Sequence, residues 1–381
     1  MKKMISTALC AALLTGTVFA GLAGASSPAS AAGSSSACPV DDHGLKLQGT
    51  KDTGAAHFQS IQFLSEKVGR AAGNGFMIGT SDAGCHWQKI YTGSYNFMQM
   101  QFLNNSIGYA LAQTNPQQPN VLLRTANGGT SFKTVNTAGQ RFERIQFHSI
   151  SVGFGYTRAF TYKTTDAGQT WSKVPTPPNT RYAHFITPDK GWIVVLRSGG
   201  YEVKRTLDGG RTWSDKLSVN SAAVVGGAIY GTDSSDIWVL LYGESGMSQT
   251  SYSLYHTKDG GSHWKQMISN STAGGGPAPG KATDKLPGPQ GRPTDMQVIG
   301  SQAAFLAAGS GALDNISLGR SLNDGATWSN IKAVPGYEAK LSFTSAKNGW
   351  IAVTSSSKPA IYATRDSGKT WTKKITLPGE K

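Results

Sequence analysis

Short apolar runs recur along this chain, and each is bracketed by the same punctuation. A run ends in Phe, five residues follow, and then come Gly and a bulky residue: Phe63 with Gly69, Phe102 with Gly108-Tyr109, Phe147 with Gly153-Phe154, Phe185 with Gly191-Trp192, and Phe343 with Gly349-Trp350. A second apolar run starts there, as in Ile193-Val194-Val195-Leu196 and Ile351-Ala352-Val353. Runs this short, rich in β-branched residues and bounded by Gly, predict strands joined by tight turns. Tyr230 to Trp238 and Val298 to Phe305 keep the pattern with a one-residue slip. No stretch carries the period of a long amphipathic helix, so helix is expected to be scarce.

In phase with these runs is an eight-residue box, Ser/Thr-x-Asp-x-Gly-x-Thr-Trp or a near variant. Its copies are Thr80 to Trp87, Thr125 to Phe132, Thr164 to Trp171, Thr206 to Trp213, Thr257 to Trp264, Ser321 to Trp328 and Thr364 to Trp371. The closing aromatics stand roughly 40 to 65 residues apart, the period of four-stranded propeller blades. One blade per box predicts an all-β, seven-bladed β-propeller of four-stranded antiparallel blades over residues 44–381. A Gly/Pro-rich insertion at 269–293 is expected to be an exposed loop. The box chemistry is that of a hairpin turn. The carboxylate accepts backbone N–H groups, Gly supplies a left-handed conformation, and the aromatic packs between sheets. Asp82, Asp166, Asp208, Asp259 and Asp366 are therefore expected to be structural. Asn127 and Asn323 replace the Asp in two boxes, whose turns should be weaker.

Composition narrows the class. Only 15% of the 381 residues are charged and 47 are Gly, a balance typical of turn-rich β-proteins. Lys2 and Lys3, an apolar stretch from Met4 to about Ala25 and Ala29-Ser30-Ala31 read as an export signal over 1–31, followed by a tail over 32–43. A retained anchor is the competing reading. Export removes Cys10, and the remaining even pair predicts a Cys38–Cys85 disulfide, the alternative being a surface thiol at Cys85 and a mobile Cys38. The formal charge is +14, of which Lys2 and Lys3 supply two units. Outside a cell this favours protein or anionic glycan, cell-wall or lipid-headgroup partners over nucleic acid. A monomer is expected.

The boxes resemble the Asp-box or BNR repeats of sialidases, sortilin-type receptors and some glycanases. Combined with the Phe-x5-Gly-Trp motif, clearest at His184 to Trp192 and Leu341 to Trp350, they look most like the photosystem II stability and assembly factor family. That resemblance implies a propeller used as a binding platform. A sialidase would instead need an arginine triad, a Tyr–Glu nucleophile pair, an Asp acid and usually Arg-Ile-Pro. No Arg-Ile-Pro occurs, and Glu66, Glu143, Glu202, Glu244, Glu338 and Glu380 lack a nucleophile context, while Arg144, Arg181 and Arg205 stay open to convergence in space. His57, His86, His148, His184, His256 and His263 are dispersed, so neither metal nor cofactor is expected. The reading is a secreted, non-enzymatic binding or scaffold protein, with a glycoside hydrolase as the alternative.

Strand alternation places a ligand face. If each motif Phe points between blades, the residues one and three positions earlier point into the channel. These are Gln62 and Ser60, Gln101 and Gln99, Gln146 and Arg144, His184 and Tyr182, and Ser342 and Lys340. With Arg181 and Glu143 they form the expected rim, basic and aromatic along one arc.

Overall fold

The computed structural model describes residues 38–281, 286–354 and 359–378. The export segment, Cys10 and Glu380 lie outside the described residues. Among those described there is no helix, and none long and apolar enough to cross a membrane. The strands form six antiparallel sheets: sheet 1 (58–135) has six strands, and sheets 2 (144–174), 3 (180–220), 4 (226–270), 5 (292–335) and 6 (339–376) have four each. Packed in order around an axis, they make a β-propeller with six blades.

The count corrects the expected seven, because sheet 1 carries two boxes. Its fifteen-residue strand Gln88–Phe102 leaves the first box and runs on to the Phe of the second motif, pairing with Gly69–Thr80 and then with Gly108–Gln113. Gly69–Thr80 likewise changes partner at Asn74-Gly75, where Gly75 adopts φ +97°. Two later junctions contain prolines, Pro175 to Pro178 and Pro335-Gly336, which withhold the N–H a continuing ladder needs. At 93–96 the chain instead stays in strand and pairs on both flanks.

The motif Phe is the packing unit between sheets. Phe63 stacks on Trp350 at 3.6 Å, Phe147 on Tyr109 at 3.5 Å, Phe185 on Phe154 at 4.2 Å and Phe343 on Phe305 at 3.7 Å between ring centroids. In the first three pairs the partner follows the motif Gly of the preceding repeat, and in the fourth Phe305 follows Ala304 at the same place. The same Phe meets its own box Trp edge-on, as Phe185 does Trp213 at 6.2 Å. Its ring also lies flat over its own motif Gly: a Cβ on Gly191 would come within 2.7 Å of Phe185, and one on Gly349 within 2.2 Å of Phe343. The Phe-x5-Gly spacing is thus a steric requirement, since only Gly leaves room for the ring.

The boxes close as hairpin turns. Asp166 Oδ1 accepts from Thr164 Oγ1 (2.8 Å) and the Thr170 N–H (2.9 Å), and Oδ2 accepts from Thr170 Oγ1 (2.6 Å). Asp208 and Asp366 repeat the pattern, and at Asp82 and Asp259 the rings of His86 and His263 take the Thr role at 2.6 Å. Asn127 and Asn323 retain the same acceptor bonds through Oδ1 and donate from Nδ2 to Ser131 and Thr327. The Thr170 hydroxyl and backbone hold the Asp166 carboxyl down at about 2. A depressed native pKa contributes stability above the ordinary carboxylate range that is lost as pH falls toward 2. Asp166→Ala should therefore lower the melting temperature at pH 7 and leave ligand affinity of the folded protein unchanged. The gap to wild type should close near pH 2, and a pH series of melting curves checks this.

The ring is closed by its N-terminal segment. Cys38 is bridged to Cys85 of the first box. Asp41 O accepts the Thr376 N–H (3.2 Å), His43 Nε2 meets Lys374 O (2.7 Å), and Leu45 and Leu47 are buried with Leu377. Residues 38–43 are therefore a clasp across the seam between sheets 6 and 1 rather than a loose tail. The described residues of the Gly/Pro-rich insertion are exposed at Ala273, Gly274, Pro277 and Lys281 and anchored between them and beyond. Ser251, Ser253, Tyr252 and Tyr255 hydroxyls donate to the carbonyls of Gly276, Pro279, Pro289 and Pro279, and Ala278, Pro279 and Pro289 are buried. Polar side chains of sheet 4 satisfy its backbone, which lets it lie against the sheet.

Candidate functional site

The inner strands carry polar side chains toward the channel, but most of these are engaged across sheet boundaries. Gln99 donates to Ile145 O and accepts its N–H (both 2.9 Å), and Gln101 does the same with Phe147 (both 2.8 Å). Gln146 donates to Phe185 O (2.7 Å) and accepts from Tyr156 Oη (2.9 Å). Gln62 clasps Phe102, Gln297 clasps Phe343, Ser60 accepts the Met100 N–H, and Ser342 Oγ accepts the Phe63 N–H at 2.7 Å. The inner strands that carry Gln62, Gln99, Gln146, Gln297 and Ser342 thus each bind the backbone of the next one round the ring. The glutamine amides have both ends satisfied, so their visible role is to join repeats.

His184 is removed from the expected basic arc. Burial, with Arg144 nearby, depresses its imidazole to about 3, so it carries no charge near neutrality. Arg144 is fixed in place. Its guanidinium lies 3.7 Å from the Tyr156 ring centroid and 4.4 Å from that of Tyr182, and it donates to Ala183 O. Two aromatic faces and a carbonyl hold a cation without neutralising it.

Two cavities meet at this arginine. One, of about 330 Å³ at the channel mouth, is lined by Gln99, Glu143, Arg144, Asp295 and Lys340, with Met98 beside them. The other, of about 300 Å³, opens over sheet 2 between Glu143, Arg144, Arg158, Phe160, Arg181 and Tyr182. Sheet 2 has strands of only three or four residues, against seven in sheet 3, and the height difference leaves the notch. Glu143 and Arg181 are exposed, while Arg144, Tyr182 and Lys340 are half-buried. The structure therefore gathers Glu143, Arg144, Arg181, Tyr182 and Lys340 around two joined cavities and withdraws His184, Gln101 and Gln146 from their lining.

Sequence reasoning missed Asp295, Tyr156, Tyr230 and Tyr242. Asp295 stands three positions before Val298, the offset that named Lys340, but the slipped motif hid it. Burial raises its carboxyl above the ordinary range against the opposing pull of Lys340, and Oδ2 accepts the Leu341 N–H at 2.8 Å. A raised native pKa means stability falls as pH climbs from the ordinary carboxylate value through the raised one. Asp295→Asn should therefore be more stable than wild type at pH 7, with the difference vanishing at acid pH; equal stability at both would refute the assignment. Tyr230 and Tyr242, whose hydroxyls burial also pushes up, lie within electrostatic reach of Tyr182 and Asp295.

No family model matches the sequence, and no curated protein matches it significantly. Solved structures do resemble it. YCF48 bound to a D1 peptide is 19% identical, with a TM-score of 0.50 over 80% of this chain and 90% of that one. YCF48 from Cyanidioschyzon merolae is 16% identical, with a TM-score of 0.52 over 78% and 92%. The GH74 xyloglucanase from Xanthomonas campestris is 14% identical, with a TM-score of 0.57 over 82% of this chain and 52% of that one. At these identities the likeness concerns architecture, and the architecture it supports is the β-propeller.

Proposed function

We propose that this chain is a secreted, non-enzymatic binding propeller that takes an anionic segment of a protein or surface polymer at the channel mouth and the adjoining notch. The observation that carries the reading is Arg144, a cation locked between two tyrosine rings where both cavities meet, with Lys340 on one side and Arg158 and Arg181 on the other. Guanidinium groups held in this way recognise carboxylate or phosphate at little ordering cost. That one protein of this fold, YCF48, is solved with a bound peptide supports a protein partner. The Cys38–Cys85 bridge suits an oxidising compartment.

Arg144 also ties sheet 2 to sheet 3 through Ala183, so the test uses its exposed and half-exposed neighbours. The double substitution Arg181→Ala with Lys340→Ala should weaken binding of fluorescent polyglutamate at least tenfold at low salt, with a nearly unchanged melting temperature. Undiminished binding would move the site off the channel mouth.

A glycan hydrolase remains the second reading on one observation: Glu143 and Asp295 line the same cavity, one carboxyl exposed and the other raised by burial. The binding reading is preferred because Asp295 occupies an inter-sheet clasp position, bonded to Leu341 as Gln297 is to Phe343. Sugar release from a polysaccharide panel that disappears in Asp295→Asn would reverse that preference.

A further inference from the structure

On the box side of the ring, where sheets 4 and 5 meet, three side chains depart together from the repeat. The residue before each box is Arg124, Lys163, Arg205 or Arg320 in four of the other repeats. Three of these cations bond carbonyls of the following repeat: Arg205 to Gly260, Lys163 to Pro188 and Arg320 to Ser367. In sheet 4 the position is held by His256. The fourth box residue is Gly128, Gly209 or Gly260 in three boxes and Ala83, Ala167 or Ser367 in three more; only in the sheet 5 box is it a carboxylate, Asp324. The residue ahead of the second strand is Val68, Ile107, Val152, Lys190 or Asn348 in the regular motifs, and here it is Asp236.

The three converge. His256 Nε2 lies 2.9 Å from Asp236 Oδ1 and 4.0 Å from Asp324 Oδ1, and all three ligand atoms fall within 4.8 Å of one another. His256 is 3% exposed and its ring is stacked on Trp238 at 3.9 Å, which fixes its plane. Its Nδ1 edge reaches to where a Cβ on Gly325 would sit, 2.2 Å away, so the ring enters only because residue 325 is Gly. Lys258 Nζ meets Asp324 Oδ2 at 2.6 Å and leaves Oδ1 turned to the histidine.

We propose that His256, Asp236 and Asp324 form a divalent transition-metal site of the zinc class that pins sheet 4 to sheet 5. Ligands at about 2.0 to 2.2 Å around a tetrahedral ion stand about 3.4 Å apart, a separation bracketed by the two distances to His256. Closing the set draws the ligand atoms together from a span of at most 4.8 Å. One imidazole and two carboxylates select zinc or cobalt over calcium and magnesium, whose sites are built from oxygen alone. On binding, the neutral ring keeps its single proton on Nδ1, and the metal takes the Nε2 lone pair in place of the contact with Asp236. Partial exposure of Asp324 supplies the entry path and room for a water as fourth ligand. The buried ring, the carboxylate held by Lys258 and the change of residue type at three separate positions together point to a ligand that the other sheet junctions do not take.

Calorimetric titration of the whole protein with zinc chloride in a non-coordinating buffer tests this. One zinc per chain should bind and raise the melting temperature, while calcium at the same concentration does neither. Asp324→Gly installs the residue that three other boxes carry at this turn, so the fold should persist while zinc affinity falls at least tenfold; Asp236→Asn supplies a second variant. His86→Ala with His263→Ala removes the exposed histidine–carboxylate pairs and should leave binding intact. Absence of zinc binding by the wild-type chain, wild-type affinity in folded Asp324→Gly or Asp236→Asn, or loss of binding in the double histidine variant would each overturn the proposal.

Discussion

Reduction of the Cys38–Cys85 bridge should destabilise the propeller by about 4 kcal/mol, the chain-entropy figure for a closed loop of 47 residues. The effect is expected to be this large because the bridge does more than staple a loop. Every sheet is built from a contiguous stretch of chain, so no strand is shared across the seam between sheets 6 and 1. The clasp of residues 38–47 spans that seam, bonded to the last strand by Asp41 and His43 and to the first box by the disulfide. Denaturant melts with and without reductant, and of Cys38→Ser, give the measurement. Coincident transitions would show that the aromatic and hydroxyl contacts at the seam suffice alone.

Phe185→Ala should cost about 3 to 5 kcal/mol, the range for removing a fully buried aromatic. Phe185 is completely buried, stacked on Phe154 at 4.2 Å, edge-on to Trp213 at 6.2 Å and flat over Gly191. Alanine leaves a cavity with rigid walls on each side, two of them rings belonging to different sheets. Collapse to fill it would require the sheets to tilt, and the Gln146 bond to Phe185 O resists that movement. Equilibrium unfolding measures the loss, and a cost below about 1 kcal/mol would mean the sheets can close the gap. Gly191→Leu is the complementary perturbation, forcing the same ring aside.

What could be read in advance follows from the range of the interactions. The box turn is complete within a few residues: Thr164, Asp166, Gly168 and Thr170 supply each other's partners, so their spacing alone discloses the turn. The alternation before each motif Phe likewise picks out the polar side chains that bond the neighbouring inner strand. It could not disclose their partners, because the backbone that Gln99 and Gln101 bind lies 46 positions away. The lining therefore excludes Gln101, Gln146 and His184 and keeps Gln99 with the residues nearest the mouth. The sheet count failed because continuity of the 93–96 junction depends on a ladder forming on both flanks at once. The Gly and Pro content of 269–293 does not disclose its anchors, since the hydroxyls that hold residues 276 and 279 belong to sheet 4. Asp236 and Asp324 could not be joined to His256 from sequence, because they stand 20 positions before it and 68 after it, the second in the next repeat.

The inter-sheet clasps also imply an order of assembly. Bonds from one inner strand to the next link residues 39 to 46 positions apart, from Gln62 onward to Gln146 and again from Gln297 to Phe343. Those across the seam link residues 267 to 331 positions apart: Phe63 with Ser342, Trp350 with Ala83, and His43 with Lys374. Closing a short loop costs less entropy than closing a long one, and slow folding follows long-range contacts. A growing chain can therefore build an arc sheet by sheet, and over residues 58–185 each new inner strand is templated by the amides of the one before it. Only the final joining step awaits the whole chain, so a refolding experiment should find its slowest phase in the burial of Trp350, after the pairing of Cys38 with Cys85, which closes only 47 residues.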